Sequence, residues 1–144
     1  MSSPQTETIL VVDDEVPVLN LCTDILRMGG YEVIGAHSGE EALQLLGQGG
    51  DGVQLALLDI MMPGLNGVET ARRIQTTSPA TRVVLMSGYN GADVAKLIGE
   101  DSSIPIIWKP FRAKSLLRMV ENVLNTPSAE EVAEHAAAAG APLS

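Results

Sequence analysis

Five residues with charged or reactive side chains each follow a short apolar segment of this chain. They are three carboxylates, one hydroxyl and one ammonium: Asp13, Asp14, Asp59, Ser87 and Lys109. Three carboxylates in one place repel one another unless they keep a proton or bind a divalent cation that prefers oxygen ligands, such as Mg²⁺. A bound cation and an ammonium neutralise phosphate oxygens, while a carboxylate can accept a phosphoryl group covalently. The residue types therefore predict phosphoryl-transfer chemistry.

The apolar segments are predicted to be the strands that position these residues. Residues 9–12, 55–58, 83–86 and 104–108 are short and apolar, which is typical of strands buried on both faces of a parallel sheet. A weaker strand is predicted over 31–36, and helical patterns alternate with all five. The expected fold is α/β, a doubly wound five-stranded parallel sheet with five helices. Parallel strands end at one sheet edge, so the five polar residues should share one crevice there.

Helix starts are predicted from side chains that can accept hydrogen bonds from a first helical turn. The predicted capping residues are Asp14, Ser38, Asn66 and Asn90. Glu41 and Glu69, three residues after Ser38 and Asn66, complete two capping boxes. The single Cys22 lies on the apolar side of the first helical pattern, so we expect a buried thiol.

The length of 144 residues and the hydrophobic content of 45% indicate one folded domain. We assign residues 1–126 to this domain and residues 127–144, rich in Ala and Glu, to a flexible tail or linker. Ser128 with Glu131 could start a short helix there, although a helix with nothing to bury is marginal in water. The segment could also be a linker to another module.

The net charge of −9 argues against direct binding to nucleic acid or to an anionic membrane surface, both of which need an excess of Lys and Arg. No apolar run approaches the ~18 residues of a membrane span, and the first residues do not resemble a signal peptide, so a cytoplasmic location is expected. Residues 47–52 fit the dinucleotide motif G-x-G-x-x-G. They follow a helix and precede a strand, which is the wrong order for that motif.

Four motifs occur at the predicted strand ends: Val-Val-Asp13-Asp14-Glu15, Leu-Leu-Asp59-Ile-Met-Met-Pro-Gly-Leu-Asn-Gly67, Leu-Met-Ser87-Gly88 and Trp-Lys109-Pro110-Phe111. Together they strongly resemble the receiver domain of two-component response regulators, and the resemblance covers residues 7–125. It implies a flavodoxin-like (βα)5 fold and a signalling module of a phosphorelay. The Leu-Met-Ser-Gly-Tyr stretch resembles receivers attached to hybrid sensor histidine kinases.

The resemblance also implies roles for individual residues. Mg²⁺ would be held by Asp13, Asp14, Asp59 and the backbone carbonyl of Met61. Asp59 would accept the phosphoryl group from a phosphohistidine of a sensor histidine kinase or phosphotransfer domain, with Lys109 pairing with that group. Ser87 would hydrogen-bond it, and the peptide bond after Lys109 would be cis. A downstream effector would respond, and the domain could form a homodimer on phosphorylation.

Two other functions use similar residues. A haloacid dehalogenase-like phosphatase also has an aspartyl nucleophile, Mg²⁺, a hydroxyl and a lysine, but its general acid is an Asp two residues after the nucleophile, where this chain has Met61. A flavin carrier of the same fold class needs a Ser/Thr-rich phosphate loop, where this chain has three acids. A receiver that catalyses only its own phosphorylation and dephosphorylation, and is otherwise not an enzyme, fits best.

The chain departs from the family pattern three residues before Lys109. An aromatic residue that rotates on activation is usual there, and this chain has Ile106. Trp108 should lie on the same face of the strand, because strand side chains alternate, and we hypothesise that it reports or partly replaces the switch. Met61 and Tyr89, two residues beyond Asp59 and Ser87, predict hindered access of water and slow loss of phosphate.

Overall fold

A computed structural model describes residues 6–47, 52–88, 91–98 and 104–138 of the chain. Strands and helices alternate along these residues. The strands are β1 (Thr8–Val12), β2 (Glu32–Ala36), β3 (Leu55–Asp59), β4 (Arg82–Ser87) and β5 (Ile106–Trp108). The helices are α1 (Val16–Met28), α2 (Gly39–Gly47), α3 (Gly67–Thr77), α4 (Gly91–Ile98), α5 (Ala113–Leu124) and α6 (Ala129–Ala138).

The five strands form one parallel sheet in the order β2-β1-β3-β4-β5. The predicted doubly wound, flavodoxin-like α/β fold is confirmed. The chain leaves β1 toward β2 on one side and returns to β3 on the other, so β1 and β3 are neighbours with Val12 opposite Leu58. Open α/β sheets bind ligands at the carboxyl ends of the strands at such a point of reversal.

The sheet is covered on both faces, and strand alternation assigns each side chain to one face. Leu10 and Val12 of β1 belong to a buried cluster with residues of α2, α3 and α4. Ile9 and Val11 belong to a second cluster with residues of α1 and α5. Cys22 lies in this second cluster, where its thiol donates to the sulfur of Met86 at 3.7 Å, so the predicted buried thiol is confirmed.

The capping predictions have different outcomes. The box at α3 is confirmed: Asn66 Oδ1 accepts from the Glu69 amide at 2.9 Å, and Glu69 Oε1 accepts from the Asn66 amide at 3.2 Å. At α2, Ser38 Oγ accepts from the Glu41 amide at 3.0 Å, but the Glu41 carboxylate accepts from His37 N rather than from Ser38 N. Asn90 lies outside the described residues.

The prediction that Asp14 caps α1 is wrong. The N-cap is Glu15, whose side chain makes no capping hydrogen bond. Pro17 stands at the second helical position, and because proline has no backbone N–H, this position needs no capping hydrogen bond. The Glu15 amide instead donates to Asp13 Oδ1 at 2.8 Å. The backbone before α1 therefore orients the Asp13 carboxylate through this hydrogen bond, and no side chain caps the helix.

Two elements near the carboxyl end of the chain differ from expectation. The last strand begins at Ile106, not at residue 104, because Pro105 has no N–H to donate to the ladder. A sixth helix, α6, occupies part of the segment assigned to a flexible tail or linker. The sequence pattern of Ser128 and Glu131 had allowed a short helix here. In the structure Ser128 Oγ accepts from the Glu131 amide at 3.2 Å, at the start of α6.

Two further predictions concern the glycine-rich segment at residues 47–52 and the absence of membrane spans. Helix α2 ends at Gly47 and β3 begins at Leu55, so the G-x-G-x-x-G segment stands between a helix and a strand, as predicted. Residues 48–51 of that segment lie outside the described residues. Within the part of the chain that the structure describes, no helix is both long and apolar enough to cross a membrane.

Candidate functional site

Three carboxylates lie together at the carboxyl edge of the sheet. Asp13 directly follows β1, and Asp59 is the last residue of the adjacent strand β3. One carboxylate oxygen from each of Asp13, Asp14 and Asp59 lies within 4.8 Å of the others. Asp13 and Asp59 are buried, whereas Asp14 is exposed to solvent. The site is therefore an acidic pocket with a buried floor and an open side.

Lys109 reaches this pocket from the end of β5. Its Nζ donates to Asp59 Oδ1 at 3.0 Å and to Asp13 Oδ2 at 3.3 Å. Its backbone N–H donates to the Ser87 carbonyl at 2.7 Å, and the peptide bond from Lys109 to Pro110 is cis, as the resemblance implied. The ammonium of Lys109 is thus shared by Asp59 and by Asp13, which lies 96 positions from Lys109 in the sequence.

Ser87 stands at the same edge, as the last residue of β4, and is buried. In the sheet register Met86 is opposite Asp59 and Ser87 is opposite Trp108. The hydroxyl therefore belongs to the strand between the one that carries Asp59 and the one that leads to Lys109. All five polar residues predicted to converge lie at the carboxyl ends of four strands.

Burial raises the pKa of Asp59 to about 6, and the negative charges of Asp13 and Asp14 add to this effect. The hydrogen bond and the positive charge of Lys109 act in the opposite direction. Because desolvation outweighs the single ammonium group, the ionised carboxylate of Asp59 is destabilised in the folded protein. A further cation in the pocket would relieve that cost.

The ammonium of Lys109 is stabilised by its two acidic partners. Burial of this group lowers its pKa, but the hydrogen bonds and charges of Asp59 and Asp13 outweigh burial and raise the pKa above the usual value. Lys109 is therefore a permanent positive charge at neutral pH. Burial, followed by the charge of Asp13, raises the pKa of the Cys22 thiol to about 11, so this thiol is unreactive.

The loop between β3 and α3 follows Asp59 and carries Met61. The Met61 side chain is 43% exposed, so Met61 is not a core residue. The neighbouring Met62 is buried. The loop closes where the Gly67 amide donates to the Ile60 carbonyl at 2.8 Å. A loop closed so tightly gives the Met61 backbone little freedom to move.

Sequence reasoning missed the role of Gly67 in this loop. A Cβ at this position would overlap the backbone carbonyl of Asp59, so only glycine lets α3 begin so close to the end of β3. The signal was present, because Gly67 stands directly after a capping Asn and eight residues after Asp59. Spacing alone does not show which backbone atoms approach each other.

The residues before Lys109 alternate as expected. Ile106 is half-buried against the cluster that includes α4, and Ile107 is buried in the cluster on the other face. Trp108 is 45% exposed. Trp108 is thus accessible at the edge of the sheet next to Ser87 and Lys109. Tyr89 lies outside the described residues.

Comparison with known proteins identifies the family and the fold of the chain. A model of the response regulator receiver domain family matches residues 9–121 of the chain. The chain belongs to this family. Receiver domains are generally non-enzymatic signalling modules, they bind Mg²⁺ in an acidic pocket, and they interact with histidine kinases and effector domains.

Several known proteins are similar to this receiver domain. It is 35% identical over 120 residues to the transcriptional regulatory protein CpxR of Escherichia coli K12, and the match covers 81% of this chain and 48% of CpxR. It is 32% identical to sensor kinase CckA of Brucella abortus, with 81% of this chain and 12% of CckA covered. The chain thus spans about half the length of CpxR.

A solved structure shows the same fold. The crystal structure of a response regulator receiver domain from Clostridium thermocellum superposes with a TM-score of 0.75 at 28% identity. The superposition covers 83% of this chain and 94% of that chain. The matched region of the family ends at residue 121, so α6 lies beyond it.

Proposed function

We propose that this receiver domain accepts a phosphoryl group on Asp59 from a phosphohistidine of a partner protein. The observation that carries the proposal is the meeting of Lys109 Nζ with the carboxylates of Asp59 and Asp13, at 3.0 and 3.3 Å. Asp14 is the third acid of the cluster. A buried acceptor carboxylate beside a fixed ammonium and two further acids is suited to a ligand that contains a cation and a phosphate.

The residues of the pocket fit Mg²⁺. The cluster of three carboxylates offers only oxygen ligands, and Mg²⁺ prefers oxygen, few carboxylates and several waters. Asp13, Asp14, Asp59 and the backbone carbonyl of Met61 would hold the ion. When bound, Mg²⁺ neutralises the developing charge on the phosphate oxygens and lowers the repulsion between the acids.

The transfer exchanges one bond for another. The phosphorus–nitrogen bond of the partner's phosphohistidine breaks, and a phosphorus–oxygen bond forms to a carboxylate oxygen of Asp59. The histidine nitrogen leaves with the electron pair of the broken bond. Lys109 is placed to follow the phosphate, because its ammonium already contacts Oδ1 of Asp59. Ser87, at the end of β4, supplies a hydroxyl that can donate to a phosphate oxygen.

Incubation with acetyl phosphate and Mg²⁺ tests the proposal. We expect one phosphoryl group per chain, an adduct that is stable in acid and labile in base, and peptide mass spectrometry that locates it on Asp59. Asp59→Asn should not be modified, while Asp24→Asn, which changes an exposed acid of α1 outside the cluster, should be. Repeated turnover of phosphomonoesters would instead support the haloacid dehalogenase-like phosphatase. Absence of any adduct would overturn both.

The partners follow from the proposed chemistry. The donor would be a sensor histidine kinase or a phosphotransfer domain, and the recipient of the signal a downstream effector protein or domain, in the cytoplasm. A homodimer on phosphorylation is also proposed. Similarity to CpxR, whose name states a transcriptional regulator, supports an attached output domain as the setting. Similarity to the sensor kinase CckA supports a hybrid kinase instead.

Trp108 offers a direct optical test of activation. We propose that this exposed residue, next to Lys109 and opposite Ser87, changes its environment when the pocket is filled. Its fluorescence should change when beryllofluoride and Mg²⁺ are added together, since beryllofluoride resembles the phosphoryl group. Because the sequence contains one Trp, Trp108→Phe is the control that lacks this fluorescence. An unchanged spectrum in protein shown to bind beryllofluoride would exclude Trp108 as a reporter.

A further inference from the structure

The first turn of α2 packs closely against the loop that follows Asp59. A Cβ at Gly39 would overlap Thr70 Oγ1, and it would lie 3.1 Å from Leu65 Cβ and 3.3 Å from the Leu65 carbonyl oxygen. Leu65 belongs to the β3–α3 loop, and Thr70 to the first turns of α3. Gly39 itself is buried. The absence of a side chain at Gly39 therefore allows α2 to contact both the loop and the helix that follows it.

Thr70 cannot readily move away from this contact. It is completely buried, and its Oγ1 donates to the Asn66 carbonyl at 2.8 Å. A β-branched side chain in a helix has few alternative rotamers. A larger residue at Gly39 would therefore displace backbone, either of α2 or of the segment from Leu65 to Thr70.

A second contact joins the same two elements. A Cβ at Gly64, which has a φ of +74°, would meet the carboxylate of Glu40. Glu40 follows Gly39 in the first turn of α2, so two successive residues of α2 lie against two successive residues of the loop, Gly64 and Leu65. The contact is thus a continuous surface.

The loop transmits this contact to the acidic pocket. Its far end is fixed where the Gly67 amide donates to Ile60 and where Gly67 lies against the Asp59 carbonyl. Met61 lies between the two fixed points, Asp59 and Leu65. A displacement of Leu65 must be taken up within six residues, in the segment that contains the Met61 backbone.

From these contacts we propose that Gly39 is a positioning residue for the Mg²⁺ and phosphoryl site, acting through Leu65 and Thr70 on the backbone of the β3–α3 loop. The proposal rests on the proposed function, since it assumes that the Met61 carbonyl and Asp59 share a bound ion. Gly39 touches neither ion nor phosphate. It allows α2 to pack closely against the β3–α3 loop, and this close packing keeps the Met61 carbonyl in position.

The test compares two glycines of the same helix. Gly39→Ala introduces the overlap, whereas Gly47→Ala, at the other end of α2, places a Cβ where no atom lies within 4 Å. By analogy with residues that support metal ligands, we expect Gly39→Ala to weaken Mg²⁺ binding about tenfold by isothermal titration calorimetry. Gly47→Ala should bind as the parent does.

A second readout needs no metal. In metal-free protein, hydrogen exchange at the Gly67 amide should be faster in Gly39→Ala than in Gly47→Ala, because the hydrogen bond to Ile60 closes the displaced loop. A purely structural effect on α2 would leave this amide and the Mg²⁺ affinity unchanged when both variants are folded by circular dichroism.

The double variant Gly39→Ala/Thr70→Ala removes the overlapping hydroxyl and keeps only the 3.1 and 3.3 Å contacts with Leu65, so it should recover most of the Mg²⁺ affinity of Thr70→Ala. If Gly39→Ala does not fold, the double variant decides: restored folding and affinity support the proposal, and failure to fold overturns it. Equal Mg²⁺ affinity and Gly67 exchange in folded Gly39→Ala and Gly47→Ala also overturn it. A parent protein that neither binds Mg²⁺ nor accepts phosphate from acetyl phosphate would refute the proposed function instead.

Discussion

Burial and the positive charge of Lys109 have opposite effects on the pKa of Asp59. Burial raises its pKa from 3.8 to about 6, whereas Lys109, 3.0 Å away, favours the ionised form. The unfolded chain loses this proton near pH 4, and the folded protein keeps it until near pH 6. The folded state therefore binds more protons in that interval, and its stability falls as pH rises through it.

Asp59→Asn should consequently stabilise the metal-free protein. The amide keeps the size of the side chain and removes the buried charge, so we expect a gain of about 1 to 3 kcal/mol near pH 7.5. The gain should vanish below about pH 3, where Asp59 is protonated in both states. Urea unfolding in the presence of a chelator measures both values. A variant less stable than the parent at pH 7.5 would contradict the assignment of Asp59 as a destabilised carboxylate.

Lys109 contacts oxygens of Asp59 and Asp13 that a bound metal ion would use, so its ammonium would compete with that ion. Lys109→Met should therefore tighten Mg²⁺ binding, by about tenfold, because charges about 4 Å apart interact by several kcal/mol in a partly buried site. The same variant should accept phosphate from acetyl phosphate about 100-fold more slowly, since a donor aimed at the phosphate is lost. Lys114→Met, an exposed lysine of α5, is the control. Weaker Mg²⁺ binding in Lys109→Met would refute the competition.

The described side chains of α6, residues 129–134, are all exposed, and polar contacts are made at and just before its first turn. Arg82, at the start of β4, donates from Nε to the Thr126 carbonyl at 2.8 Å and from a terminal nitrogen to Glu131 at 3.0 Å. The Glu130 amide donates to the Pro79 carbonyl at 3.1 Å. These bonds attach α6 to the edge of the sheet opposite to the acidic pocket, while Val132 remains exposed.

Removal of Arg82 should therefore release α6 without unfolding the domain. In Arg82→Ala we expect hydrogen exchange over residues 129–138 to increase at least about threefold, because local opening no longer breaks these bonds. The whole fold should lose no more than about 1 kcal/mol, since the ion pair is partly exposed. Arg118→Ala, an exposed arginine on α5, is the charge-matched control. Unchanged exchange in Arg82→Ala would show that α6 is held by other contacts.

At the scale of the whole molecule, the proposed Mg²⁺ site would link metal binding to folding. A ligand that binds only the folded state stabilises it in proportion to the logarithm of its concentration, by about 2.7 kcal/mol at one hundred times the dissociation constant. Mg²⁺ should raise the urea midpoint of the parent and a chelator should reverse the rise. Asp13→Asn should show a much smaller effect.

The net charge of −9 provides the alternative explanation to be excluded. Any salt screens repulsion among exposed acids, so NaCl at matched ionic strength must be compared with MgCl₂. If both salts raise the midpoint equally, or if the parent and Asp13→Asn respond alike, the stabilisation comes from screening and not from the pocket.

The sequence by itself determined the five strands and the five helices that alternate with them, and it predicted the residue types of the pocket. Apolar runs such as Leu55 to Leu58 can only be buried strands here, and a carboxylate directly after such a run must lie at the sheet edge. The capping box of Asn66 and Glu69 is equally local, because both hydrogen bonds are made within one helical turn. Patterns that depend on neighbours in the chain can be recognised without knowledge of the fold.

Only the tertiary structure decided which distant residues touch and at what distance. Periodicity did not give the strand order that makes β1 and β3 neighbours, nor the division of Lys109 between two acids. Asp14 was predicted both as a member of the acidic cluster and as the cap of α1, and only the structure showed that Glu15 is the N-cap. Gly39 carried no signal in its own segment, since the atoms that exclude a side chain there belong to Leu65 and Thr70. Close packing between elements is a property of three-dimensional distance, and hydropathy and spacing contain no measure of it.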